Sequence, residues 1–128
     1  MTLYTSSKTL IGLDSSYSFL TRVLKKHVSA PVWHGTPTWY TFEDVYNVIL
    51  DRKKNPKEGS YTNYLFDKGI DKILKKVGEE ATEIVIAAKN PDPQEVKYEI
   101  SDFLYHVMVL MAEKGVSWKE ITKELSRR

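Results

Sequence analysis

Residues 70–106 read IDKILKKVGEEATEIVIAAKNPDPQEVKYEISDFLYH, and this stretch decides the fold. Ile73, Val77, Ala81, Ile84 and Ala88 recur at steps of three and four, the period of an amphipathic helix. The spacing predicts a helix over 70–89 that Asn90-Pro91 stops. A new start follows at once. Asp92 can cap, Pro93 suits a first helical turn, and Glu95 places a negative charge where the helix dipole favours it. Val96, Ile100, Phe103, Leu104, Val107, Met108 and Met111 then carry a second apolar face to about Lys114, with Gly115 ending it. So short a connection makes the two helices antiparallel neighbours.

Outward from this hairpin the chain remains helical. On its N-terminal side, Thr41 with Asp44 forms a start signal for a helix through Val45, Val48 and Ile49 that ends at Asn55-Pro56. A polar loop, Lys57 to Thr62, leads into a short helical piece, Tyr64 to Lys68, and Gly69. On the C-terminal side, Ser117-Trp118-Lys119-Glu120 is a capping box opening a last helix to about Ser126. The expected fold is all-α, an antiparallel bundle of about four to five helices over 41–128. Residues 1–40 lack periodicity and form an irregular N-terminal extension.

Bulk composition narrows the function. The chain has 128 residues, 41% hydrophobic and 28% charged, with a net charge of +2, which gives no electrostatic case for a nucleic-acid or membrane partner. Without cysteine there is no disulfide, no thiolate metal site and no cysteine nucleophile. No basic segment leading into an apolar run opens Met1 to Leu13, and no stretch is apolar for long enough to span a bilayer, so a cytoplasmic location is expected.

The chemistry lies in the hairpin's acids. Glu80 and Glu83 share one face of the first helix, and Glu99 and Asp102 share one face of the second. Glu83 lies seven positions before Asn90 and Glu99 six after Pro93, so the four carboxylates reach similar heights and can converge. Converging carboxylates repel one another, and a divalent cation removes that cost. An all-oxygen donor set suits Mg²⁺, with Mn²⁺ as a substitute. The same stripe runs back to Lys76 and Lys72, where ammonium groups suit a polyphosphate, although i,i+4 pairing with Glu79 and Glu80 also accounts for such lysines. Arg52, Lys53, Lys54 and Lys57 precede the loop Gly59-Ser60-Tyr61-Thr62, whose glycine and hydroxyls suit phosphate contact, with Tyr61 able to stack on a base, although an ordinary basic surface turn accounts for the same residues. The loop is not a Walker sequence. His106, four residues after Asp102, is a substrate contact, a hydrogen-bond partner of Asp102 or a partly buried structural histidine.

Several of these runs occur together in one family. Asp51-Arg52-Lys53, Glu58 to Thr62, Leu65 to Gly69, Lys72 to Ala81 and Tyr98 to His106 resemble, in order and spacing, the phosphoribosyl-ATP pyrophosphatases. These are members of the all-alpha nucleotide pyrophosphatases, whose E-x-x-E and E-x-x-D motifs are matched by Glu80/Glu83 and Glu99/Asp102. The resemblance covers about residues 42–128. It implies hydrolysis of 1-(5-phosphoribosyl)-ATP to phosphoribosyl-AMP and pyrophosphate in histidine biosynthesis. It also implies Mg²⁺, a small-molecule nucleotide substrate, and a homodimer or larger assembly that completes the bundle. In this reading Glu80, Glu83, Glu99 and Asp102 hold the metal and Glu79 orients or deprotonates water. Arg52, Lys72 and Lys76 hold phosphates, while Gly59, Ser60, Tyr61, Thr62 and His106 contact the rest of the substrate. The alternatives are a house-cleaning nucleotide pyrophosphatase and a non-catalytic helical metal-binding module.

In many relatives a cyclohydrolase domain precedes the pyrophosphatase. Trp33-His34-Gly35-Thr36 and Thr38-Trp39-Tyr40 bear a faint similarity to its C-terminal motif, but both cysteines are missing and the segment is too short, so no cyclohydrolase activity is expected. Trp33, Trp39 and Tyr40 are apolar enough to dock on the helical body or on a partner subunit.

Overall fold

The computed structural model describes residues 40–128. These form five α-helices and no strand: α1 (Phe42–Lys54), α2 (Tyr61–Lys68), α3 (Ile70–Ala87), α4 (Pro93–Lys114) and α5 (Trp118–Ser126). The all-α expectation holds. Trp33, Trp39 and the rest of the N-terminal extension as far as residue 39 lie outside the described residues. Tyr40 packs with Val45 and Val48 of α1.

Local chemistry explains each boundary. At α1 the Thr41 hydroxyl accepts from Asp44 N–H while the Asp44 carboxylate accepts from Thr41 N–H, closing the predicted box. Ser117 and Glu120 close the same box at α5. Asp92 caps α4 through Gln94 N–H, with Pro93 in the first turn. Gly115 ends α4 in the left-handed conformation at φ 73, where a side chain would be strained. α3 stops at Ala87, two residues short of the expected Lys89.

The expectation for α2 is corrected. The helix begins at Tyr61 rather than Tyr64, because Ser60 accepts from Asn63 N–H as an N-cap, directly after the turn at Gly59. Tyr61 and Thr62 are therefore first-turn helical residues and not loop. Asn63 ties the preceding connection down: its side chain donates to the Arg52 carbonyl at 2.6 Å and accepts from Lys57 N–H at 2.9 Å.

α3 and α4 make the most extensive contact of any pair, forming the predicted hairpin, and α1 and α2 pack across it. The core joins Tyr46 and Ile49 of α1, Leu65 of α2, Ile73 of α3, and Tyr105, Met108, Val109, Met111 and Ala112 of α4. α5 closes one end, with Trp118 stacked on Phe42 at 5.2 Å and Ile121 against the core. Tyr46 reaches across to donate to the Val116 carbonyl at 2.6 Å, pinning α1 to the α4–α5 connection.

Candidate active site

The hairpin buries acids where an ordinary bundle buries leucines. Glu80, Glu99 and Asp102 are all nearly inaccessible, and Glu83 is half-buried. Oxygens of Glu80, Glu83 and Glu99 lie within 4.8 Å of one another, a grouping able to hold a metal ion. The three-residue spacing on α3 and the height match across the turn produce this, as the sequence suggests. Asp102 falls outside that trio, yet its charge is the largest Coulombic influence on Glu80. Burial pushes the Glu80 carboxyl up to about 7, with Asp102 adding to the shift and Lys76 opposing it. Glu80 Oε2 is buried with no hydrogen-bond partner. A carboxylate oxygen in that position is costly unless a proton or a cation reaches it.

The lysines of the same stripe separate. Lys76 is buried, its Nζ 3.1 Å from Glu79 Oε2 and 3.4 Å from Glu80 Oε1. Lys72 is half-buried, with its Nζ 5.9 Å from the centre of the Tyr64 ring. Arg52 is buried and paired with Asp51 at 3.3 Å. Glu79 remains partly exposed, between Lys75 and Lys76.

Consecutive residues of α2 grip consecutive residues of α4. The Thr62 and Tyr105 hydroxyls share a short hydrogen bond, and the Tyr61 hydroxyl lies 3.0 Å from His106 Nε2. His106 Nδ1 is 2.7 Å from the Asp102 carbonyl, which can only accept, so Nδ1 carries the proton and donates. Burial lowers the His106 pKa to about 4, keeping the ring neutral. Nε2 is therefore an acceptor and Tyr61 donates to it. Burial raises the Tyr61 pKa, with the charges of Glu80 and Asp102 among the lesser causes, so its hydroxyl keeps its proton beside the acids.

Of the three readings of His106, the ring is fully buried with both nitrogens hydrogen-bonded, as for a structural histidine, and its bond to Asp102 goes to the backbone and not to the carboxylate. Tyr105 and Asn63 were not singled out in the sequence. Tyr105 is an aromatic on an apolar helix face, and its hydroxyl partner becomes visible only once α2 crosses α4. Asn63 could have been found, since it stands three residues after Ser60 in the capping register.

Fold and site define the class as an all-α protein whose helical hairpin gathers carboxylates from both helices into one group able to hold a metal ion. The sequence profile of phosphoribosyl-ATP pyrophosphohydrolase matches residues 42–128, and the chain belongs to that family. It is 59% identical over 86 residues to a phosphoribosyl-ATP pyrophosphatase of Lactiplantibacillus plantarum, covering 67% of this chain and 81% of that one. It is 62% identical over 86 residues to a protein of the same name from Streptococcus thermophilus, covering 67% of this chain and 83% of that one. A histidine biosynthesis bifunctional protein of Thermoanaerobacter pseudethanolicus is 61% identical over 82 residues, which are 64% of this chain and 38% of that one. All three alignments fall short of this chain's full length, and the family profile begins where α1 begins.

Proposed function

We propose that the chain hydrolyses 1-(5-phosphoribosyl)-ATP between its α and β phosphates, with Mg²⁺, to give phosphoribosyl-AMP and pyrophosphate in histidine biosynthesis. Family membership and the names of its relatives support the substrate. The observation that carries the chemistry is the mutual approach of the buried Glu80 and Glu99 and the half-buried Glu83.

The residues fit the metal. The donors are hard carboxylate oxygens, and the buried Glu80 Oε2 lacks a hydrogen-bond partner that a cation would replace. Glu80, Glu83, Glu99 and Asp102 would hold Mg²⁺, which supplies Lewis-acid polarisation of phosphoryl oxygens and a more acidic bound water. Glu79, partly exposed beside these ligands and steadied by Lys76, orients the attacking water and takes its proton. The water oxygen bonds to phosphorus as the bridging P–O bond breaks, and pyrophosphate carries away the bond electrons. Lys72 offers its ammonium to the phosphates, with Lys76 adding positive charge from within the helix. Arg52, buried beside Asp51, adds positive charge near Tyr105. Gly59, Ser60 and the Tyr61 ring face the phosphoribosyl or adenylate part. Thr62 and His106 act by holding α2 to α4.

Pyrophosphate release from phosphoribosyl-ATP, with and without Mg²⁺ and beside a panel of nucleoside triphosphates, tests this reading. Magnesium-dependent release from phosphoribosyl-ATP is the expected result. Preference for a nucleoside triphosphate moves the function to nucleotide clean-up, and silence on every substrate leaves a non-catalytic helical module.

The reading includes a homodimer or larger assembly in the cytoplasm. Leu74, Val85 and Ile86 of α3, and Tyr98 and Ile100 of α4, are exposed apolar side chains that self-association would cover. Sedimentation at several concentrations checks this, and a monomer throughout removes the assembly from the proposal. No helix among the described residues is long and apolar enough to cross a membrane.

A further inference from the structure

Lys76 stands in surroundings that a lysine tolerates only with compensation. Its side chain is 2% exposed, and its ammonium lies between Glu79 Oε2 at 3.1 Å and Glu80 Oε1 at 3.4 Å. A buried charge stripped of its partner costs several kcal/mol, so the three groups form a closed charge unit. Helix geometry enforces it, because the partners sit at i+3 and i+4 on one stripe. Glu80 belongs to a second unit as well. Its Oε1 faces Lys76, while Oε2 is buried without a hydrogen-bond partner, and the residue is one of the three whose oxygens converge. One carboxylate thus joins a permanent internal cation to the seat proposed for a divalent one.

We infer that Lys76 is a resident counter-ion of the carboxylate cluster: it holds the acids together in the metal-free protein, and its fixed charge weakens the cluster's affinity for a divalent cation. The inference rests on the proposed reading of the cluster as a metal site. Two consequences follow from one charge. Without metal, the ammonium offsets part of the repulsion among Glu80, Glu83 and Glu99, so the hairpin folds before any cation arrives. With metal, a positive group held one carboxylate away repels the incoming ion through an interior of low dielectric. An anionic phosphate group beside the cluster would offset that repulsion.

The test is a titration of the full-length chain with Mn²⁺, followed by electron paramagnetic resonance, for wild type, Lys76→Gln, Lys76→Met and the charge-retaining Lys76→Arg. Thermal denaturation of each metal-free protein accompanies it. The expected result is Mn²⁺ affinity on the order of tenfold higher in a folded neutral variant, with a lower metal-free Tm, while Lys76→Arg stays near wild type. Unchanged or weaker Mn²⁺ binding in a folded neutral variant overturns the inference and leaves the metal site standing. Absence of Mn²⁺ binding to wild type and to every folded neutral variant removes both. Where both neutral variants unfold without metal, refolding on Mn²⁺ addition supports the counter-ion role, and failure to refold overturns it.

Discussion

Glu80 and His106 pull the acid side of the stability curve in opposite directions. The folded pKa of Glu80, about 7, lies above its ordinary 4.5, so its contribution is fully present below 4.5 and is lost as pH rises toward 7. The folded pKa of His106, about 4, lies below its ordinary 6.5, so its contribution is present above 6.5 and is lost as pH falls toward 4. Urea midpoints in metal-free buffer separate the two. Glu80→Gln flattens the loss between 4.5 and 7, and His106→Asn, which keeps a donor for the Asp102 carbonyl, flattens the loss between 6.5 and 4. A Glu80→Gln profile parallel to wild type would show that the carboxyl is not held protonated by its surroundings. Catalysis is tested at Glu99, which is fully buried in the cluster. Glu99→Gln keeps the shape and removes the charge, so kcat/KM at limiting Mg²⁺ should fall on the order of 100-fold or more, since even groups behind a metal's ligands are worth 10–100-fold. Activity near that of wild type would remove Glu99 from the ligand set.

At the scale of the element, α3 carries a residue its own propensity opposes. Gly78 lies inside the helix, is exposed, and a Cβ added there meets nothing within 4 Å. Glycine in a helix interior costs about 0.5–1 kcal/mol relative to alanine, so Gly78→Ala should stabilise the metal-free protein by that amount in chemical denaturation. A destabilised variant would mean that the face above Gly78 is covered in solution. Helix starts were legible because capping is local chemistry: Thr41/Asp44, Asp92/Pro93 and Ser117/Glu120 act within one turn. The start of α2 was read three residues late, since Gly59 and Ser60 look like continuing loop unless Ser60 is taken as a cap for Asn63.

For the whole molecule, one side chain reports on the packing of four helices. Ile73 is fully buried in the cluster that joins α1, α2, α3 and α4. Ile73→Ala should cost about 2–5 kcal/mol in urea denaturation, the usual range for emptying such a site. A loss below 1 kcal/mol would mean that the core closes over the gap. The bundle explains why acids are buried at all: apolar layers on the α1 and α2 side anchor the hairpin, so Glu80, Glu99 and Asp102 are held out of water by neighbours that gain from burial themselves.

The sequence alone determined the five helices, though not the start of α2, and the hairpin with the convergence of Glu80, Glu83 and Glu99, though Asp102, expected with them, stays outside that trio; these follow from a 3.6-residue period, capping side chains and a five-residue connection, Ala88 to Asp92. It also carried the family, since the motifs lie in order along one stretch. Which side of the stripe each lysine serves was decided only by tertiary structure. Lys72 and Lys76 are one helical turn apart, and a periodic pattern treats them alike. Packing buries Lys76 between two acids and leaves Lys72 half-open beside Tyr64. The paired grip of Tyr61 and Thr62 on His106 and Tyr105 was equally hidden, because residues more than forty positions apart meet only where α2 crosses α4. Spacing along a chain encodes what one helix face shares. Burial, and with it the dielectric that gives a charge its strength, is set by what packs against that face.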